Sequence, residues 1–168
     1  MKTIVVGLGN PILGDDGIGW KVAEEVRKQL LLLDAALVTR PGGRKRGVPA
    51  YTDVEFLSLG GISLMENLIG YDRAVLIDAI DSDQETGSII VSRLSELPDY
   101  STLHTTSVHD TSLQNALRLG NAMGASLPQD VVVVGITTRH VYDFSEELTP
   151  AVAEAIPRAV EIVMDLLE

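Results

Sequence analysis

The chain has 168 residues, 24 acidic and 13 basic, and a formal charge of −11 with histidines neutral. It contains no cysteine, which excludes disulfide scaffolds, thiolate zinc sites, iron–sulfur ligation and cysteine nucleophiles together. A hydrophobic share of 45% can fill one core, and the acidic balance argues against nucleic acid or anionic membrane as a partner.

The N-terminus MKTIVVGLGNPILGDDG carries one lysine and a short apolar run, broken at Gly7, Gly9, Asn10 and Pro11. A secretory signal needs ~7–15 uninterrupted apolar residues, and no stretch reaches the ~18 of a membrane span. The expectation is a cytoplasmic monomer without membrane insertion. Thr3 to Leu8 reads as a buried parallel strand, followed by a Gly/Asn/Pro/Asp loop. A helix is expected from about Gly17 to Leu33, with Ile18, Val22, Ala23, Val26, Leu30 and Leu33 at helical spacing. Trp20, at its start, reads as a packing residue.

The next strand is expected at Val54 to Leu59, then a short helix through Met65 and Leu68 after Gly60-Gly61. Arg73 to Ile80 is the clearest central strand, and Ser88 to Leu94 reads as another. A helix bearing Leu113, Ala116 and Leu117 follows, with Thr111 and Gln114 at capping-box spacing. Asp130 to Ile136 is again a buried strand. The final helix opens at Thr149-Pro150, and Pro157 is expected to kink or break it. This alternation predicts one α/β domain over 1–168, a three-layer sandwich whose mostly parallel sheet of about five strands is flanked by helices. The segment Arg40 to Asp53, RPGGRKRGVPAYTD, reads as a basic loop insertion.

Ligands of open α/β sheets bind beyond the carboxyl ends of the strands. Asp15 and Asp16 in the first loop, Asp78 at the end of VLID, and His109 before the third helix pass that filter. Carboxylates with an imidazole suit zinc, nickel, manganese or iron. Their spacing is no metal motif, and helix caps with a strand-end aspartate explain the same residues. GLGNPILG departs from a dinucleotide loop, because position 12 is Ile12 where GxGxxG needs glycine. Ser107, two residues from His109, lies in no GxSxG elbow. His104 and His140 read as solvated loop histidines.

The segments VVGLGNPILGDDGIGWKVAEEV, LGGISLMENL, VLIDAI, SVHDTSL, VVVVGI and ELTPAVAEAIPRAVEIV together resemble the nickel–iron hydrogenase maturation endopeptidases. The resemblance implies an endopeptidase that clips a C-terminal extension from the hydrogenase large-subunit precursor after nickel insertion. It implies Asp16, Asp78 and His109 as metal ligands, and the same three as candidates for catalysis, with nucleophile and base unassigned. It also implies nickel carried in by the substrate and no organic cofactor. Many relatives have Asp-Gly-Gly after the second strand, where this chain has Leu59-Gly60-Gly61.

Two other functions compete. Peptidyl-tRNA hydrolases also open with VGLGNP, but their catalytic histidine has no counterpart before His104 here, and the charge is unfavourable for tRNA. A non-catalytic chaperone that binds nickel-loaded precursor would use the same three ligands. The basic loop is the expected docking surface for an acidic face of the precursor, through Arg44, Lys45 and Arg46, in a salt-dependent way.

Overall fold

The computed structural model describes residues 1–38, 51–97, 112–139 and 143–168. Within them five strands, β1 (Thr3–Leu8), β2 (Thr52–Leu57), β3 (Arg73–Asp81), β4 (Ile89–Arg93) and β5 (Asp130–Thr138), form one sheet in the order β2-β1-β3-β5-β4. Four pair in parallel, and β4 runs antiparallel to β5 at one edge. The helices are α1 (Ile18–Val38), α2 (Gly61–Asn67), α3 (Leu113–Ala122) and α4 (Pro150–Leu167). The expected three-layer α/β sandwich is the observed one.

Side-chain alternation along the strands divides the core in two. Val5, Val75, Ile77, Val134 and Ile136 face α1 and α4, where Ile18, Val22, Val26, Val152, Val160 and Val163 meet them. Ile4, Val6, Leu8, Leu76 and Val133 face α2 and α3, against Leu64, Met65, Leu113 and Ala116. The central strands are buried on both faces, which explains their continuous apolar sequences. No helix among the described residues is long and apolar enough to cross a membrane.

Several element boundaries differ from expectation. A 3-10 turn over Gly14–Gly17 precedes α1, so Asp15 and Asp16 stand inside a turn instead of an open loop. β2 begins at Thr52, so Thr52 and Asp53 belong to the sheet and not to the expected basic loop. Residues 40–50 of that loop lie outside the described residues. Ser112 caps α3, its hydroxyl accepting from the Asn115 N–H, and the Gln114 amide donates instead to the Leu97 and Leu94 carbonyls. The chain remains helical through Pro157, which sits on the solvent face of α4. Water can satisfy the carbonyl that a proline leaves without its usual donor.

Two glycines bring α1 onto the sheet. A Cβ on Gly7 would stand 2.5 Å from the Gly19 carbonyl oxygen and 2.8 Å from the Ala23 Cβ. A Cβ on Gly19 would stand 2.2 Å from the Leu8 oxygen and 2.4 Å from the Ile77 oxygen. The first turn of α1 therefore rests directly on the carboxyl ends of β1 and β3, backbone on backbone. Gly19→Ala should cost about 3 kcal/mol, although alanine is the better helix former by about 1 kcal/mol. Gly124→Ala, at φ +82° with open space around it, should cost only about 1 kcal/mol through backbone strain. Urea unfolding midpoints of the two variants measure the difference.

Candidate functional site

From β1 the chain moves outward to β2, then crosses to β3 on the other side of β1. The reversal makes the gap between β1 and β3, at their carboxyl ends, the switch point where such sheets open a crevice. β1 pairs with β3 as far as Gly7 opposite Ile77. Asp78 is the next residue of β3, 1% exposed, on the same face as Leu76 and opposite Gly135 of β5. The 3-10 turn carrying Asp15 and Asp16 lies against β3. Gly19, three residues after Asp16, abuts the Ile77 carbonyl just before Asp78. Asp16 and Asp78 are thus both buried, in the turn after β1 and within β3, toward the carboxyl ends of these strands.

The two adjacent aspartates do different work. Asp15 is 1% exposed, and its carboxylate accepts from the Thr138 hydroxyl at 2.6 Å, the Thr149 N–H at 2.7 Å and the Thr149 hydroxyl at 2.9 Å. Thr149 is the N-cap of α4, so this buried negative charge also meets the positive end of an 18-residue helix. Its carboxylate therefore fastens the first turn to the end of β5 and the start of α4. The same segment is sewn on by backbone bonds from the Gly14 N–H to the Ser145 carbonyl and from the Ser145 N–H to the Ile12 carbonyl.

Asp16, 2% exposed, turns the other way and accepts from the Asn10 N–H at 2.7 Å. Asn10 in turn accepts from the Ile12 N–H at 3.2 Å, and the Ser58 hydroxyl donates to the Gly9 carbonyl at 2.6 Å. These bonds tie the loop to itself and to the end of β2.

Of the residues expected from sequence, Asp16 and Asp78 are both buried, one in the turn after β1 and one within β3, and Asp15 is a fastener. His109 lies outside the described residues, with Ser107, His104 and His140. Among the described residues, no three histidine, cysteine, aspartate or glutamate side chains gather into a metal-holding group. The fastening role of Asp15 escaped sequence reading because its partners are 123 and 134 residues away. The available signal was Thr149-Pro150, a helix start with a threonine to donate. Leu59 and Gly60 lie between β2 and α2; Gly60 is the N-cap of α2, and Gly61 at φ +51° opens the helix.

Asp15→Ala strips three hydrogen bonds from buried donors and should destabilise the fold by about 3 kcal/mol. Asp16→Asn keeps an acceptor for the Asn10 N–H and should cost less than about 1 kcal/mol. Thermal unfolding of the two purified variants checks this contrast.

Comparison with known proteins gives this architecture its place. The family described as hydrogenase maturation protease matches residues 52–166. The hydrogenase expression/formation protein HupD of Bradyrhizobium diazoefficiens is 24% identical over 166 residues, covering 99% of this chain and 78% of its own. A putative hydrogenase maturation protease of Methanocaldococcus jannaschii is 27% identical over 165 residues, covering 96% of this chain and 93% of its own. The hydrogenase maturating endopeptidase HybD from Escherichia coli shares the fold at a TM-score of 0.71 and 22% identity, with 99% and 92% of the two chains covered. The family match spans well over half of the chain, from β2 into α4. The protein belongs to the hydrogenase maturation protease family and is a hydrolase of peptide bonds.

Proposed function

We propose that the protein removes the C-terminal extension of a [NiFe]-hydrogenase large-subunit precursor once nickel has been inserted, acting as a cytoplasmic monomer. The observation that carries this reading is the family match over residues 52–166, and the burial of Asp16 and Asp78 toward the carboxyl ends of β1 and β3 supports the site proposed for it. In this reading the two buried carboxylates help to hold a divalent cation. Their third partner in this reading is His109. Nickel arrives with the precursor as part of the substrate, and no organic cofactor takes part.

Recognition of the substrate's own metal supplies a checkpoint. A precursor with nickel is bound more tightly than one without, and each ~1.4 kcal/mol of that difference discriminates tenfold. The amide bond to be cut is then held where a water molecule can attack its carbonyl. The attacking water loses a proton to a carboxylate, and the departing amine gains one. Asp16 and Asp78 are the candidates for the proton acceptor.

Purified protein incubated with nickel-loaded precursor should yield a product shortened at its C-terminus, read by mass spectrometry, and nickel-free precursor should stay intact. Asp16→Asn, Asp78→Asn and His109→Ala should each slow processing by about 100-fold or more, a loss of ~2.7 kcal/mol in transition-state stabilisation. Unchanged processing by the Asp16 and Asp78 variants would overturn the site assignment. A stable complex holding uncut precursor would overturn the proteolytic role for this substrate.

A further inference from the structure

A second feature sits beside the first loop, on the β2 side. The Trp20 and Phe56 rings meet at 5.6 Å with their planes 58° apart, and the Trp20 indole N–H donates to the Leu57 carbonyl at 3.3 Å. The Arg27 guanidinium lies over the Phe56 ring at 4.7 Å. With Pro11, Lys21 and Glu24 these side chains line an open cleft of about 250 Å³. Pro11 connects it to the site, because the neighbouring Asn10 N–H is bonded to the Asp16 carboxylate.

The charges in this cleft are uneven. Lys28 pairs with Glu24 at 3.5 Å and Glu25 at 2.8 Å, which offsets the acid on the cleft wall. Among the described residues, neither Lys21 nor Arg27 forms an ion pair, although the chain carries a net −11. An arginine stacked on a ring keeps its N–H edge outward, in the fork geometry that grips a carboxylate. Paired aromatic rings supply the apolar anchor that dominates most peptide recognition. Two cations beside a glutamate suit a single carboxylate better than a run of phosphates.

We infer that this cleft binds an acidic, apolar-containing stretch of extended peptide in the protein substrate and steers it toward the loop of Asp16. An apolar side chain rests on Trp20 and Phe56, and an acidic one engages Arg27 and Lys21. Phe56 belongs to an edge strand, and an extended peptide lying along it presents every second side chain to the cleft. The inference rests on the proteolytic reading for its substrate, but its binding test does not.

Trp20 is the one tryptophan of the chain, so its fluorescence reports on the cleft directly. Titration with a capped octapeptide alternating leucine and glutamate should change Trp20 emission saturably. An octapeptide alternating leucine and lysine should leave it unchanged. Lys21→Glu with Arg27→Glu, both at exposed positions, should weaken the acidic peptide at least ~10-fold while circular dichroism stays native. For nickel-loaded precursor the same double variant should lose about as much in KM, with the loss absent from kcat. No emission change with the acidic peptide, or an equal change with the basic one, overturns the cleft. Acidic-peptide binding without any precursor processing keeps the cleft and overturns the proposed function. Processing with an unaltered KM in the double variant keeps that function and overturns the cleft.

Discussion

The contact between Gly7 and Gly19 governs the carboxyl end of the sheet. Neither residue has a side chain, so the first turn of α1 settles onto the ends of β1 and β3 with nothing between. Any larger residue at either position would lift the helix by the thickness of a methyl group or more. The 3-10 turn, Asp16 and the Trp20 side of the cleft are all carried on this helix start. The crevice, the turn and the cleft are consequences of one close approach of backbones.

On this foundation two identical neighbours part company. Asp15 spends its charge inward, on three donors from β5 and α4, and becomes part of the framework. Asp16 accepts from the Asn10 backbone N–H. A buried carboxylate is costly unless it is compensated. Asp15 finds that compensation in the hydroxyls of Thr138 and Thr149 and the Thr149 N–H. Net charge does not distinguish the two cases; only the partners do.

Much of the fold was legible in the sequence because its signals are local. The β-branched runs at Thr3–Leu8, Arg73–Asp81 and Asp130–Thr138 are strands buried on both faces, and they look so without their neighbours. The spacing of Ile18, Val22 and Val26 likewise announces a helix against a sheet. Asp16, in the turn after β1, and Asp78, within β3, were candidates because the strand-end rule needs no coordinates. The division of labour between Asp15 and Asp16 was not, since it depends on Thr138 and Thr149 arriving from far along the chain. The cap of α3 moved by one residue to Ser112 because Gln114 found the carbonyls of Leu94 and Leu97. Trp20 read as packing, and it does pack on Phe56; the cations around that pair come into view only when α1 and β2 lie side by side.

The bond from Asp15 to Thr149 spans 134 residues, which sets an order of events during synthesis. β1, the turn and α1 emerge from the ribosome early, but the carboxylate of Asp15 has neither threonine until β5 is made, and lacks Thr149 until the start of α4 exists. Until then a negative charge waits in a half-built interior, and the surrounding loop has reason to stay solvated. A partly synthesised copy of this protein therefore lacks the full fastening of its first turn until the start of α4 has been made.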